Sequence, residues 1–126
     1  NQTKMAGEVI IDDNAIVSGV VLMHQFCHVG SYVMIQGGCR FSKDIPPYII
    51  AGRDPIAYCG INIVGLRRRG FTNEQIEIIH NAYRIIYNSG KNVTEAIAQI
   101  KAEMPMTPEI EYIISFVENS QRGIIR

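Results

Sequence analysis

The feature that most constrains this chain is an apolar residue at every sixth position through its first third. The members of this frame are Met5, Ile11, Val17, Met23, Val29, Ile35 and Phe41. The position four residues further along each hexad is also apolar, and its occupants are Val9, Ala15, Val21, Cys27, Val33, Cys39 and Ile45. An α-helix repeats after about 3.6 residues and a strand after about two, so neither has this period. A chain that turns every six residues and points the same two positions inward is a coil of short parallel strands, a hexapeptide β-helix.

An ordinary series of alternating strands is the competing interpretation, because segments such as "YVMI" pass as strands on their β-branched content. Alternation needs a period of two, and some apolar residues outside the hexad frame contribute to it: Ile10, Ile16, Leu22 and Met34. The frame that is unbroken at two hexad positions favours the coil. The additional apolar residues predict that the outer faces are covered too, as in a trimer of three coils packed side by side.

Composition excludes several classes of protein. The chain has 126 residues, of which 47% are hydrophobic, enough for one ordinary globular domain or two small ones. Twelve basic side chains balance twelve acidic ones, so no overall field attracts nucleic acid or an acidic membrane surface. No apolar run approaches the roughly 20 residues of a membrane span. The three cysteines form no CxxC pair, which favours buried free thiols in a reducing compartment such as the cytoplasm.

The ends of the hexad frame predict the domain organisation. The frame opens directly at "NQTKMAGEV", without a helix or polar cap ahead of it. Because a repeat coil needs about three or more units and a cap at each end, we expect further coils upstream of Asn1 and hence a fragment of a longer protein. The frame stops at "SKDIPPYIIAGRDP", whose prolines predict a junction loop. We therefore expect the last coils and this loop in residues 1–60 and an α-helical C-terminal domain in residues 61–126.

The second half has helical periodicity, and its capping residues predict three helices. Their predicted starts are the Thr72–Gln75 capping box, Asn92 or Thr94, and Thr107 followed by Pro108. Gly90 predicts the end of the first of these helices. The apolar stripes predict a bundle that caps the coil. His80, on the first helix, is interpreted as a packed or surface histidine rather than a catalyst.

Four segments carry a specific resemblance to a known family: "HQFCHVG", "DIPPYIIAG", "GINIVGLRRRGF" and "SQRGIIR". They resemble the C-terminal half of the acyl-carrier-protein-dependent UDP-N-acetylglucosamine O-acyltransferases, the first enzymes of lipid A synthesis, over essentially the whole chain. The resemblance implies a left-handed parallel β-helix, an exception to the usual right-handed crossover. It further implies a homotrimer with active sites between adjacent coils, and neither a cofactor nor a metal.

The resemblance also implies a reaction. A 3-hydroxyacyl group passes from an acyl-carrier-protein thioester to the 3-hydroxyl of UDP-N-acetylglucosamine, with a histidine as general base. In the family this base lies one coil before the point that corresponds to Asn1. The resemblance therefore assigns no catalytic residue within this chain, and the chain alone is expected to be inactive.

Three residues of the coil receive a role from the same resemblance. His24 and Gln25 are implied to bind substrate at the subunit cleft, and Gly37 to leave room for the acyl tail as an acyl-chain ruler. From the residues alone, a plain turn glycine explains Gly37 about as well. His24 and His28 are four residues apart, but they occupy the second and sixth positions of a hexad, so a shared metal is not expected.

The chain has a dense cluster of positive charge, formed by Arg67, Arg68 and Arg69. We predict that these residues lie in a loop. Consecutive arginines usually form a solvated face, yet guanidinium groups suit a diphosphate because they donate paired hydrogen bonds. In the family, the matching segment contacts the nucleotide. The resemblance thus implies that Asn62, Arg68 and Arg69 are nucleotide or phosphate contacts.

Three positions depart from the family's pattern. Glu8 and Pro55 stand where the family commonly has histidine, and Val64 stands where an acidic residue is common. A carboxylate at Glu8 cannot replace the donor and acceptor pair of a neutral imidazole. The orientation of the substrate and the preferred acyl-chain length therefore stay open.

Two other functions are compatible with a hexapeptide coil. A γ-type carbonic anhydrase requires three converging histidine ligands, and only His24 and His28 lie in the coils. A non-catalytic trimeric scaffold would use the helices and arginines to bind a partner. Zero net charge and the lack of aromatic residues interleaved with the arginines weigh against a nucleic acid as that partner.

Overall fold

The computed structural model describes residues 4–5, 10–17, 22–23, 27–37, 40–53 and 55–126. Within these ranges the first third of the chain forms seven two-residue strands: β1 (Lys4–Met5), β2 (Ile10–Ile11), β3 (Ile16–Val17), β4 (Leu22–Met23), β5 (His28–Val29), β6 (Met34–Ile35) and β7 (Arg40–Phe41). Strands β1 to β4 each pair in parallel with the strand three hexads further on, so that Lys4 lies opposite Leu22 and Ile16 opposite Met34. One turn of the coil therefore uses three hexads and has three faces.

The inward positions of the frame are buried where the structure describes their side chains. Cys27, Val29, Val33, Ile35 and Ile45 are fully buried, and Phe41 is nearly so. The exceptions are Ile11, at 38% exposure, and Ala15, which is half-buried. Among the described strands β2 pairs with β5 alone, so Ile11 has a layer of side chains on one side only. Cys39, the other cysteine of the frame, lies outside the described residues.

The proline-rich junction is more regular than the predicted loop. Strand β8 (Ile49–Gly52) continues the coil by pairing in parallel with β6, and β9 (Ala57–Ile61) returns antiparallel to β8. Pro46 and Pro47 precede β8, so their missing N–H groups leave its ladder intact.

The arginine cluster does not lie in a loop, and this part of the prediction was wrong. A short helix, α1 (Ile63–Arg68), ends with Arg67 and Arg68 in its last turn, and Arg69 is its C-cap. Cationic side chains at the C-terminal end of a helix offset the partial negative charge of its free carbonyl groups.

Three longer helices follow at the predicted places: α2 (Asn73–Asn88), α3 (Val93–Glu103) and α4 (Pro108–Asn119). Thr72 with Gln75 forms the predicted capping box, and Asn92, rather than Thr94, caps α3 in a second one with Glu95. Thr107 caps α4 as predicted. His80 is exposed, as the surface interpretation requires. No helix in the described chain is long and apolar enough to cross a membrane.

Buried polar groups dock the helices onto the coil, and both parts share one hydrophobic core. Asp44 is 4% exposed, and its carboxylate accepts hydrogen bonds from the His28 N–H at 2.7 Å and the Ser120 hydroxyl at 2.5 Å. The Tyr83 hydroxyl donates to the Pro47 carbonyl oxygen at 2.5 Å, and the Tyr87 hydroxyl to that of Ile125 at 2.7 Å. These contacts hold α2 and the C-terminal segment against the last turn of the coil.

Candidate functional site

A cleft of about 380 Å³ lies where α1 meets one edge of the coil. Its lining residues are Asn14, Ile16, Tyr32, Asn62, Gly65, Arg68 and Arg69. The cleft thus brings together Asn62, Arg68 and Arg69, which the sequence grouped as nucleotide or phosphate contacts. The opposite wall comes from the turns that follow β2 and β5 and from Ile16 in β3.

Hydrogen bonds of Asn62 connect these two walls of the cleft. Its Oδ1 accepts the N–H of Gly65 at 3.3 Å, which caps α1, and its Nδ2 donates to the Tyr32 carbonyl oxygen at 2.9 Å. Its backbone N–H donates to the Tyr48 carbonyl oxygen at 2.9 Å. With 6% exposure and both ends of its amide engaged, Asn62 chiefly orients α1, although it also lines the cleft.

Gly65 gives the Asn62 side chain its space. A Cβ on Gly65 would stand 2.4 Å from the Nδ2 of Asn62, closer than non-bonded atoms approach. Because that amide is held at both ends, it has little freedom to move aside. The close approach explains a glycine inside a helix, where glycine otherwise costs about 1 kcal/mol relative to alanine.

Arg68 and Arg69 both line the cleft, and both are exposed. Neither is paired with a carboxylate in the part of the chain that the structure describes. Two unpaired guanidinium groups beside one cleft favour an anion with several oxygen acceptors, such as a diphosphate. Arg67 is exposed on the same helix but does not line the cleft.

The opposite wall carries residues with left-handed backbone. Asn14 and Tyr32, with φ of 63° and 61°, lie eighteen residues apart and so occupy the same edge in successive turns of the coil; Tyr48, with φ of 73°, follows in the next. The Tyr32 ring stacks on Tyr48 at 5.8 Å between centroids and meets Phe71 edge-on at 5.0 Å. Phe71 follows the arginines closely, so this contact also ties the end of α1 to the coil.

The remaining predicted residues fall elsewhere. His24 and Gln25, and also Glu8, lie outside the described residues. Gly37 is exposed in the connection between β6 and β7 and is not part of the cleft.

Two of the departures from the family's pattern are on the surface. Val64 is 62% exposed on α1. Pro55 is exposed in the β8–β9 turn and lines a separate groove of about 280 Å³ with Lys43 and Arg126.

The sequence analysis did not predict the other lining residues, which are Asn14, Ile16, Tyr32 and Gly65. Asn14 and Tyr32 share one place in the repeat of three hexads, which was the available signal for a common edge. As to metals, the described side chains bring no three histidine, cysteine, aspartate or glutamate residues together. His28 instead contacts Asp12, with 2.7 Å between Nε2 and Oδ1.

Comparison with known proteins yields one consistent family. The model of the family described as Udp N-acetylglucosamine O-acyltransferase, Domain 2, matches residues 44–125. The acyl-[acyl-carrier-protein]--UDP-N-acetylglucosamine O-acyltransferase of Pseudomonas syringae is 36% identical over 126 residues, which are 100% of this chain and 49% of that protein. The Myxococcus xanthus protein of the same name is 39% identical over 118 residues, 94% of this chain and 46% of its own length.

Solved structures agree with these relatives. A UDP-N-acetylglucosamine acyltransferase from Bacteroides fragilis superposes with a TM-score of 0.98 at 75% identity, over 100% of this chain and 49% of that one. The enzyme from Francisella novicida superposes with a TM-score of 0.95 at 38% identity, over 100% of this chain and 46% of that one. The chain therefore spans about half the length of the relatives it matches.

Proposed function

Because the chain belongs to the UDP-N-acetylglucosamine O-acyltransferase family, we propose that it is the acceptor-holding part of an enzyme that transfers a 3-hydroxyacyl group from acyl carrier protein to the 3-hydroxyl of UDP-N-acetylglucosamine, in the first step of lipid A biosynthesis. The observation that carries the proposal is the cleft in which Arg68 and Arg69 lie beside Asn62. Both substrates are those named for the relatives. The reaction needs no cofactor.

In this proposal the chain binds and orients rather than transfers protons. Arg68 and Arg69 hold the diphosphate by charge-assisted hydrogen bonds, and Asn62 keeps α1 at the correct distance from the opposite wall. A diphosphate held at two points fixes the glucosamine relative to the cleft, which presents its 3-hydroxyl to a general base in one orientation. No residue of this chain is proposed as that base. His24 and Gln25 are proposed to contact the sugar, and Gly37 to border the acyl tail.

The proposal includes a left-handed coil and a homotrimer. Ile10 is 59% exposed on an outer face of the coil, which supports burial of this face against a neighbouring subunit. Gly37 and the arginine cleft belong to different edges of one coil. An acyl chain and a nucleotide held by one active site would therefore draw on two adjacent subunits.

The cytoplasm is the proposed location. Cys59 is a free thiol in the described chain, which is what a reducing compartment maintains.

Acyl transfer by the full-length protein tests the proposal. Purified enzyme is incubated with UDP-N-acetylglucosamine and a series of 3-hydroxyacyl-acyl-carrier-protein donors, and the nucleotide-sugar product is identified by mass spectrometry. The proposal predicts an ester on the 3-hydroxyl that appears only when both substrates are present. Absence of transfer from every donor, with a folded trimer, would refute it.

A further inference from the structure

Tyr112, on α4, contacts three successive layers of the coil edge that forms the cleft's wall. Its hydroxyl donates to the Oδ2 of Asp12, in the first layer, and accepts the N–H of Ser31, in the second, at 2.8 Å. Its ring meets the Tyr48 ring of the third layer edge-on, with 5.8 Å between centroids. One side chain of the helical part thus joins three turns of the coil.

The turns that Tyr112 joins carry the cleft's lining residues. Asp12 precedes Asn14 by two residues, and Ser31 directly precedes Tyr32. Both lining residues have left-handed backbone, which costs a residue other than glycine about 1–2 kcal/mol. Such backbone persists where surrounding contacts hold it, and it concentrates at binding sites.

The Asp12 carboxylate is fixed from two sides. Its Oδ1 contacts the Nε2 of His28 at 2.7 Å, and its Oδ2 accepts from Tyr112. Burial, together with the hydrogen bond to Asp12, raises the pKa of Tyr112 to about 12. The hydroxyl therefore keeps its proton, and remains a donor to Asp12, throughout the physiological range.

Asn14 and Tyr32 both line the cleft, and both have a polar side chain. Within the described chain no side-chain hydrogen bond engages the Asn14 amide or the Tyr32 hydroxyl. Arg68 and Arg69 line the same cleft and suit the anionic end of a nucleotide. An amide and a phenol suit its other end, because a nucleoside presents ring faces and both donors and acceptors.

We propose that Tyr112 is a positioning residue, which through Asp12 and Ser31 sets the turns that present Asn14 and Tyr32 to the nucleoside of the bound nucleotide. This inference rests on the proposed function, since it divides the same cleft into a diphosphate end and a nucleoside end. Tyr112 itself does not line the cleft.

Tyr112→Phe in the full-length protein tests this division, since it retains the ring and its packing on Tyr48 and removes only the hydroxyl. The affinities of the variant for UDP and for inorganic pyrophosphate are measured by calorimetry. We expect the UDP affinity to fall about tenfold, the cost of one lost hydrogen-bonded group, with the pyrophosphate affinity unchanged. Equal losses for both ligands, or no loss for either, would overturn the assignment.

Tyr87→Phe is the matched control. It removes a hydroxyl that donates to the Ile125 carbonyl oxygen at 2.7 Å, away from the cleft, and should leave the ratio of the two affinities at the wild-type value. If Tyr112→Phe does not fold, Asp12→Asn is the variant to test. This substitution weakens the hydrogen bond between Tyr112 and residue 12 and should lower the affinity for UDP but not for pyrophosphate. An unchanged ratio of the two affinities would overturn the inference.

If the proposed function is wrong, the binding measurements give a different result. Wild-type enzyme would then bind neither UDP nor pyrophosphate, and this inference would fall with it. If the wild type binds both and Tyr112→Phe matches it, only the positioning role is refuted.

Discussion

The Nδ2 of Asn62 donates a hydrogen bond to the carbonyl oxygen of Tyr32 over 2.9 Å and thereby ties the helix that carries the arginines to the opposite wall of the cleft. The two residues are 30 positions apart in the chain. The other end of the same amide caps α1 through Gly65. The shape of the cleft consequently depends on one buried side chain.

Asn62→Ala should lower the free energy of unfolding by about 1–3 kcal/mol, because it leaves the Tyr32 carbonyl and the Gly65 N–H without their partners. Urea denaturation measures this change. Asn62→Asp is the matched variant, since it retains the cap but loses the donor to Tyr32, and it should be destabilised as well. Wild-type stability in both variants would show that the hydrogen bonds of the Asn62 side chain are not needed for stability.

Gly65→Ala should destabilise the protein, although alanine favours a helix interior by about 1 kcal/mol. The added methyl meets the Asn62 side chain, and we expect a net cost of about 1–3 kcal/mol, as for other overpacked sites. In an Asn62→Ala background the clash is gone and the same substitution should be neutral or stabilising. A double-mutant cycle measures this coupling; additive effects would contradict the packing described.

The periodic parts of the structure could be predicted from the sequence because their determinants are local. Val29 and Ile35 belong to the six-residue repeat that indicates the coil. Thr72 and Gln75 form a capping box, a four-residue pattern that indicates the start of a helix. Helix α1 was missed because it has six residues and no acidic residue in its first turn. Its cap depends on Asn62, whose second partner belongs to a distant turn.

The repeat could have placed Asn14 and Tyr32 on one edge of the coil, but the contacts that set this edge against the helices are long-range and could not be predicted. The contact between Tyr112 and Asp12 spans 100 residues. No local sequence pattern indicates this contact. The sequence therefore predicted Arg68 and Arg69 as site residues but not the residues on the opposite wall of the cleft.

The alkaline limit of stability should reflect buried tyrosines. Burial raises the pKa of Tyr48, Tyr58, Tyr83, Tyr87 and Tyr112. A group whose folded pKa is raised stabilises the fold fully below its unfolded pKa, near 10 for tyrosine, and this contribution is lost as the pH rises through the folded value. For Tyr112 that window runs from about pH 10 to about pH 12.

Tyrosinate absorbance and circular dichroism, recorded over the same alkaline titration, check this expectation. Ionisation of these tyrosines should be delayed beyond pH 10 and should accompany loss of structure. Full ionisation near pH 10 with the fold intact would contradict the burial described.

Gly37→Met in the full-length enzyme should shift donor preference to shorter acyl chains while leaving folding largely intact. Each methylene denied its pocket costs about 0.8 kcal/mol, so blocking several reverses the ranking of long and short donors. The measurement is activity against a series of acyl-carrier-protein donors, with a melting curve for each variant. Uniform loss of activity together with a lower melting temperature would identify Gly37 as a turn glycine.

The central claim is that Arg68 and Arg69 hold the diphosphate of the acceptor, and calorimetric titration of UDP-N-acetylglucosamine into the full-length protein tests it most directly. Arg68→Ala and Arg69→Ala should each weaken binding by about 1.5–3 kcal/mol, the range for a charge-assisted hydrogen bond, and the wild-type affinity should fall as salt is added. Arg67→Ala, which removes the same charge from the same helix outside the cleft, should bind as the wild type does. Unchanged affinity in both the Arg68 and Arg69 variants, or an equal loss in all three, would contradict the account.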